Sequence, residues 1–179
     1  YREQLGLWEH QKYFVEKVFA DHKKSYGARY ILADQVGLGK TIQLAMAAQL
    51  MALYGNKPIL IIVPKTLTWQ WQDEMNNLLD IPSAVWEGRF WVDENGMEYR
   101  GVSMTKCPRK VGIISQGLIV AKSEHIDRIL EKEYECIIVD ECHRARRTNP
   151  GEGKEHNKPV PNNLYKFLLS ASLKTRSML

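Results

Sequence analysis

An α/β fold with a largely parallel sheet follows from three features of the sequence. Short apolar runs alternate with segments whose apolar residues recur at helical spacing, the signature of repeated strand–helix units. Two of those runs, Ile59–Val63 (ILIIV) and residues 136–139 (CIIV), are apolar at every position, as strands become when helices cover both faces of a sheet. A third run, residues 30–33 (YILA), leads through the glycine-bearing segment 34–41 (DQVGLGKT) into an apolar stretch of helical period, which reads as strand, turn, helix.

Taken in order, residues 8–19 are predicted to form a helix with Gln11, Phe14, Val15 and Val18 on one stripe. After the strand at 30–33 a helix over 41–54 is apolar nearly all round and stops before Gly55-Asn56. The strand Ile59–Val63 is followed by a helix over 66–79 with Leu67, Trp71, Met75 and Leu78 on one face and Trp69 off it. Residues 86–110 break the alternation. Trp91-Val92-Asp93 and Met97-Glu98-Tyr99 flank Glu94-Asn95-Gly96, so a small β-hairpin inserted between sheet elements is expected, with Trp86 and Trp91 as its core. A strand over 111–115 follows, then a helix over 123–130 with Ser123 as N-cap and Glu124 in its first turn. The strand 136–139 precedes 147–161, rich in Asn, Pro, Gly and Lys, which reads as a long loop. A last helix is expected over 163–172, with 177–179 opening another strand.

The composition bounds the function. The 179 residues suffice for one domain with a sizeable core, and 44% apolar with 26% charged residues is ordinary for a globular chain. No apolar run approaches the ~20 residues of a membrane span, and YREQLGLWEH lacks the regions of a signal peptide. Cys107, Cys136 and Cys142 are too few and scattered for a disulfide framework, which fits a reducing, intracellular setting. They also lack the paired spacing of a zinc site. The net charge of +4 is a mild hint of a polyanionic partner. Its distribution says more: Arg144, Arg146, Arg147, Lys154 and Lys158 gather in one segment, and Arg100, Lys106, Arg109 and Lys110 in another.

DQVGLGKT carries the chemistry. Gly37 and Gly39 let backbone approach a polyphosphate and take positive φ. The amides of the loop then converge on the anion at the positive end of the following helix. In the GxxxxGK[ST] pattern Lys40 reaches the β- and γ-phosphates and the Thr41 hydroxyl holds Mg²⁺. The first position departs from that pattern, being Asp34 and not glycine. A second constellation closes strand 136–139: Asp140-Glu141-Cys142-His143. Asp140 at a strand's carboxyl end suits a Mg²⁺ ligand, direct or through water, and Glu141 suits a group that orients and deprotonates an attacking water.

DQVGLGKT, VPKTLTWQWQDEM and IIVDECHRAR together resemble motifs I, Ia and II of superfamily 2 helicases. Within these the chain is most similar to the Swi/Snf-like group, which includes RapA-like and phage-defence-like bacterial relatives. That group usually writes D-E-x-G-L-G-K-T, so Asp34 fits it, whereas Gln35 stands where glutamate is usual and DECH replaces DEAH. The resemblance implies a three-layer RecA-like P-loop domain, the first of two, spanning 1–179 with 86–110 inserted.

It implies nucleotide contacts from Asp34, Gln35, Val36, Gly37, Leu38, Gly39, Lys40 and Thr41, with Gln11 reading adenine. It further implies ATP and Mg²⁺ as ligands, with Lys40, Asp140 and Glu141 in catalysis. Lys65 and Thr66 after one strand, and Ser115 and Gln116 after another, would meet a nucleic-acid backbone. The implied protein is an ATP-dependent translocase on double-stranded DNA, cytoplasmic if bacterial and nuclear if eukaryotic, with no membrane partner. Residues 169–172 (LSAS) superficially match the group's next motif but read as helix. The chain is therefore expected to end before that motif and before a second RecA-like domain, which would supply a further arginine. Rival readings are a strand-separating helicase or an RNA helicase with the same motor core, a nucleotide-dependent binding module without turnover, and a transporter motor, whose LSGGQ-like signature is missing.

Overall fold

A computed structural model describes residues 6–35, 37–121, 125–148 and 159–179. In chain order the elements are α1 (Glu9–His22), α2 (Lys40–Tyr54), β1 (Ile59–Val63), a 3-10 turn (Lys65–Leu67), α3 (Thr68–Leu79), β2 (Ser83–Trp86), β3 (Phe90–Asp93), β4 (Glu98–Arg100) and β5 (Val111–Ser115). They continue with α4 (Gln116–Val120), α5 (His125–Glu131), β6 (Tyr134–Val139), a 3-10 turn (Cys142–Arg144), β7 (Arg147–Thr148), β8 (Val160–Pro161), α6 (Asn163–Ser172) and β9 (Thr175–Met178).

Seven strands form one sheet in the order β4-β3-β2-β5-β1-β6-β9. The five from β2 to β9 run parallel, and β3 and β4 add antiparallel at one edge. Strand alternation divides each apolar run between two layers. Ile59, Ile61 and Val63 of β1 join Ile138, Val18, Met51, Trp71 and Met75 on one side. Leu60 and Ile62 join Ile137, Ile114, Ile119, Leu164 and Phe167 on the other. Helices α1, α2 and α3 thus cover one face and α4 to α6 the second, so the α/β expectation holds.

Several elements differ from the sequence-based expectation. Residues 30–33 do not form a strand. Arg29 makes one parallel bridge with Met178, and Tyr30 N–H donates to Met178 O at 3.2 Å. Met178 in turn gives its N–H to Ala28 O, while Leu179 beside it gives its own to Ile137 O of β6. Tyr30 instead turns its hydroxyl to Asp21, and Ile31 is exposed.

The hairpin forms, pairing Trp91 with Tyr99, and it extends the edge of the main sheet. Trp91 also pairs with Trp86, which lies on β2, a strand of the main sheet hidden by the short SAVW run. The two indoles meet edge to face at 5.3 Å within the core of the second layer, not in a hairpin core of their own. α4 was not anticipated either, being only five residues long.

The helix expected over 123–130 is seen from His125 onward; Ser123 and Glu124 lie outside the described residues. Of the expected loop 147–161, residues 149–158 lie outside them as well. Its ends pair as a two-stranded ladder, Arg147 with Pro161 and Thr148 with Val160. α6 takes the expected bounds because Asn162 accepts the N–H of Tyr165 as N-cap. Residues 169–172 belong to it, and β9 starts at Thr175, two residues before the expected strand.

Candidate nucleotide site at the carboxyl edge of the sheet

α2 packs on β6 as well as on α1 and α3, and Asn56 N–H beyond its end donates to Glu135 near the start of β6, which directs its other end and the DQVGLGKT segment toward the edge where Asp140 follows β6. The loop has the backbone an anion cradle requires. Gly37 and Gly39 take φ of 91° and 70°, and a Cβ at Gly39 would stand 2.6 Å from Gln11 Nε2. At Gly37 the corresponding space is open. Gly39 is the N-cap of α2, and the first intrahelical bond is Gln43 N–H to Gly39 O, which leaves the amides of Lys40, Thr41 and Ile42 free of intrahelical partners. Val36 lies outside the described residues.

Lys40 folds back on its own loop. Its Nζ donates to Asp34 O at 2.8 Å and Gln35 O at 3.1 Å. Asp34, the departure from the glycine pattern, accepts from Gln43 Nε2 through Oδ2 at 2.9 Å. Gln43 is fully buried in the otherwise apolar helix and ties the loop's first residue to α2. Sequence reasoning passed over Gln43; the available signal was a lone polar residue on an apolar helix, which must find a partner inside.

Gln11 points inward as its stripe requires. Its Oε1 accepts Trp8 N–H, and its Nε2 donates to Leu38 O, both at 3.0 Å. One amide thus caps α1 and touches the phosphate loop together.

Asp140 is half-buried and held on several sides. Its N–H donates to Ile62 O at 3.0 Å, extending the β1–β6 ladder by one bond. Oδ1 accepts the N–H of Glu141 and Oδ2 accepts the indole N–H of Trp71, each at 2.9 Å. Its carbonyl accepts from Gln116 Nε2 at 2.6 Å. Glu141 sits at φ 53°, a left-handed conformation unusual for a side-chain-bearing residue, and its carboxylate lies 3.1 Å from His143 Nδ1. A carboxylate anchored at the strand end and a threonine hydroxyl at the helix start are hard oxygen donors. That set suits Mg²⁺, which keeps several waters and takes few protein ligands.

The residues expected to meet nucleic acid divide into two kinds. Lys65 and Thr66 are exposed on the 3-10 turn after β1, with Lys65 Nζ 2.7 Å from Glu87. Ser115 and Gln116 are buried: Ser115 Oγ caps α4 through Gly117 N–H at 3.1 Å, and Gln116 is engaged by Asp140. Trp69 is exposed, whereas Trp71 is buried with its N–H on Asp140. Reading Trp71 as core alone missed that contact, although a buried indole N–H calls for an acceptor. Cys136 is fully buried within β6, and burial raises its thiol; burial likewise pushes Cys107 up to about 12. Neither favours the thiolate that a zinc ion needs.

Residues 10–171 match the family model described as the SNF2-related domain. The chain is 29% identical over 153 residues to the RNA polymerase-associated protein RapA of Vibrio atlanticus (strain LGP32), covering 84% of this chain and 15% of that protein. It is 31% identical over 140 residues to RapA of Vibrio vulnificus (strain CMCP6), covering 77% and 14%. The chain therefore spans only about a seventh of the curated relatives it matches.

Among solved structures, the Sulfolobus solfataricus SWI2/SNF2 ATPase core in complex with dsDNA superposes with a TM-score of 0.66 at 17% identity, covering 97% of this chain and 31% of that one. A nuclease-deletion mutant of the Type ISP restriction-modification enzyme LlaGI, in complex with a DNA substrate mimic, gives 0.51 at 20% identity over 77% of this chain and 15% of that one. At these identities the likeness shows a shared fold.

Proposed function

The chain belongs to the SNF2-related domain family, and from that premise we propose that it is the ATP-binding half of a DNA translocase motor, completed by a second RecA-like domain. One observation carries the reading: α2 begins at Lys40 and packs on β6, with Gly55-Asn56 beyond its far end against Glu135 near the start of that strand, which directs Lys40 toward the edge where Asp140 follows Val139. Both solved structures that share this fold are DNA complexes, the Sulfolobus solfataricus core with dsDNA and the LlaGI enzyme with a DNA substrate mimic, which supports DNA as the partner.

In this reading the residues 34–41 wrap the polyphosphate with main-chain N–H groups, and Gln11 reads the adenine. Lys40 exchanges two neutral carbonyls for the β- and γ-phosphates, a stronger charge-assisted pairing. Thr41 and Asp140 hold Mg²⁺, which when bound neutralises charge on the phosphates. Glu141 accepts a proton from the attacking water; the water oxygen bonds to the γ-phosphorus as the bond to the β–γ bridging oxygen breaks. Lys65 and Thr66 offer charge and a hydroxyl to a DNA strand, contacts that position without reading sequence. Ser115 and Gln116 border the same edge.

Titration with a fluorescent ATP analogue tests the phosphate loop. Lys40→Ala should weaken binding at least tenfold, and a mutant that binds as tightly as the parent would refute the assignment.

A further inference from the structure

Asp140 and Glu141 stand at a turn whose backbone is costly to hold, and two helices from opposite faces of the sheet reach it. Trp71 comes from the first turns of α3 on one face, buried to 2% exposure, and meets the carboxylate at 2.9 Å. Gln116 opens α4 on the other face, buried to 4%, and meets the main-chain carbonyl at 2.6 Å. The bond from Glu141 N–H occupies the second carboxylate oxygen. Each oxygen retains a further lone pair, so the carboxylate is fixed in plane and still open to a ligand. The carbonyl bond fixes the peptide that places Glu141 at positive φ.

We propose that Trp71 and Gln116 are positioning residues that clamp Asp140, orienting its carboxylate for the nucleotide's Mg²⁺ and holding the Asp140–Glu141 peptide in its left-handed turn. This rests on the reading of Asp140 as a metal-holding residue. It also gives Gln116 a role at the nucleotide, in place of a direct phosphate contact with nucleic acid. Outer-shell partners of this kind orient ligating groups, and their loss typically weakens metal affinity about 10–100-fold.

The test is Mg²⁺ dependence of binding of a fluorescent ADP analogue to the chain, which needs no turnover. In Trp71→Phe and in Gln116→Met the Mg²⁺ concentration at half-effect should rise about tenfold or more, with metal-free nucleotide affinity at the parent's value. Adding Trp71→Phe to Asp140→Asn should change the Mg²⁺ response no further, because both act through one carboxylate. Should Trp71→Phe fail to fold, Gln116→Met decides alone. Parent-like Mg²⁺ dependence in the folded variants, with Asp140→Asn insensitive to Mg²⁺, would overturn the clamp while leaving Asp140 as the metal residue. A parent-like response in Asp140→Asn would remove Asp140 from the metal site and the clamp with it.

Discussion

His22 shows how far a single buried residue can tie the molecule together. It is fully buried, with Nδ1 2.7 Å from Ser177 Oγ and Nε2 3.4 Å from Glu135 Oε2. Ser177 Oγ already accepts Ala28 N–H, so its proton is free to go to Nδ1, and the network assigns the proton of His22 to Nε2. Burial, aided by the Arg176 charge and opposed by Glu135, holds the imidazole below its ordinary value. The unfolded chain therefore takes up this proton first as pH falls. The neutral histidine's contribution to stability is complete above about pH 6.5 and is lost as pH drops from there toward the folded value. Urea unfolding from pH 7.5 to 5 should show a smaller loss of stability in His22→Gln than in the parent. Parallel curves would contradict the assignment.

At the scale of elements, the hairpin and α6 depend on side chains that bind main-chain groups. Asp93 is buried at the hairpin turn and accepts Asn95 N–H and Met97 N–H, both at 3.0 Å, together with Tyr99 Oη and Arg109. Desolvation works to raise its carboxyl, but these donors outweigh it and leave it below the usual range. Asp93→Ala leaves two turn amides and the Tyr99 hydroxyl without their acceptor, while Arg109 keeps its pairing with Glu94, and should destabilise the chain by about 2 kcal/mol. A loss under 1 kcal/mol in urea unfolding would show that Glu94 alone holds the turn. Asn162→Ala removes the α6 cap and should cost about 1 kcal/mol.

The sequence made most of these elements legible, and the reasons differ by element. ILIIV announced itself by unbroken apolarity, and residues 163–172 by a cap and a clear period. β2 stayed hidden because four residues of mixed size, SAVW, carry no period of their own. The run at 30–33 looked like a strand by composition, yet among its residues only Tyr30 bonds to β9, through Met178, beside the single bridge of Arg29. In the site, Lys40, Thr41, Asp140 and Glu141 could be marked because their spacing is local. Gln116 was marked for a different role, and the contacts of Trp71, Gln116 and Gln43 could not be read, because their partners lie 69, 24 and 9 positions away and only the fold brings them close.

For the molecule as a whole, the sheet order sets what the chain can do. The parallel strands β1 and β6 lie side by side, and the loops after them carry Lys65, Thr66 and Asp140 to one edge. The groups proposed for nucleotide and for nucleic acid thus share a rim, with α3 following the exposed turn at Lys65 and carrying the indole that meets Asp140. On the proposed reading a second domain completes the site, so residues 1–179 alone should bind ATP weakly and turn it over negligibly. Robust DNA-stimulated hydrolysis by residues 1–179 alone would show that no second domain is needed. Among the described residues no helix is long and apolar enough to cross a membrane.

The most direct test of a DNA-driven motor is steady-state ATP hydrolysis by this chain joined to the second RecA-like domain proposed to complete it, with duplex DNA, single-stranded DNA and RNA compared. Duplex DNA should stimulate turnover most, and Lys40→Ala should abolish it. Stimulation by RNA above duplex DNA, or turnover that survives Lys40→Ala, would contradict the account.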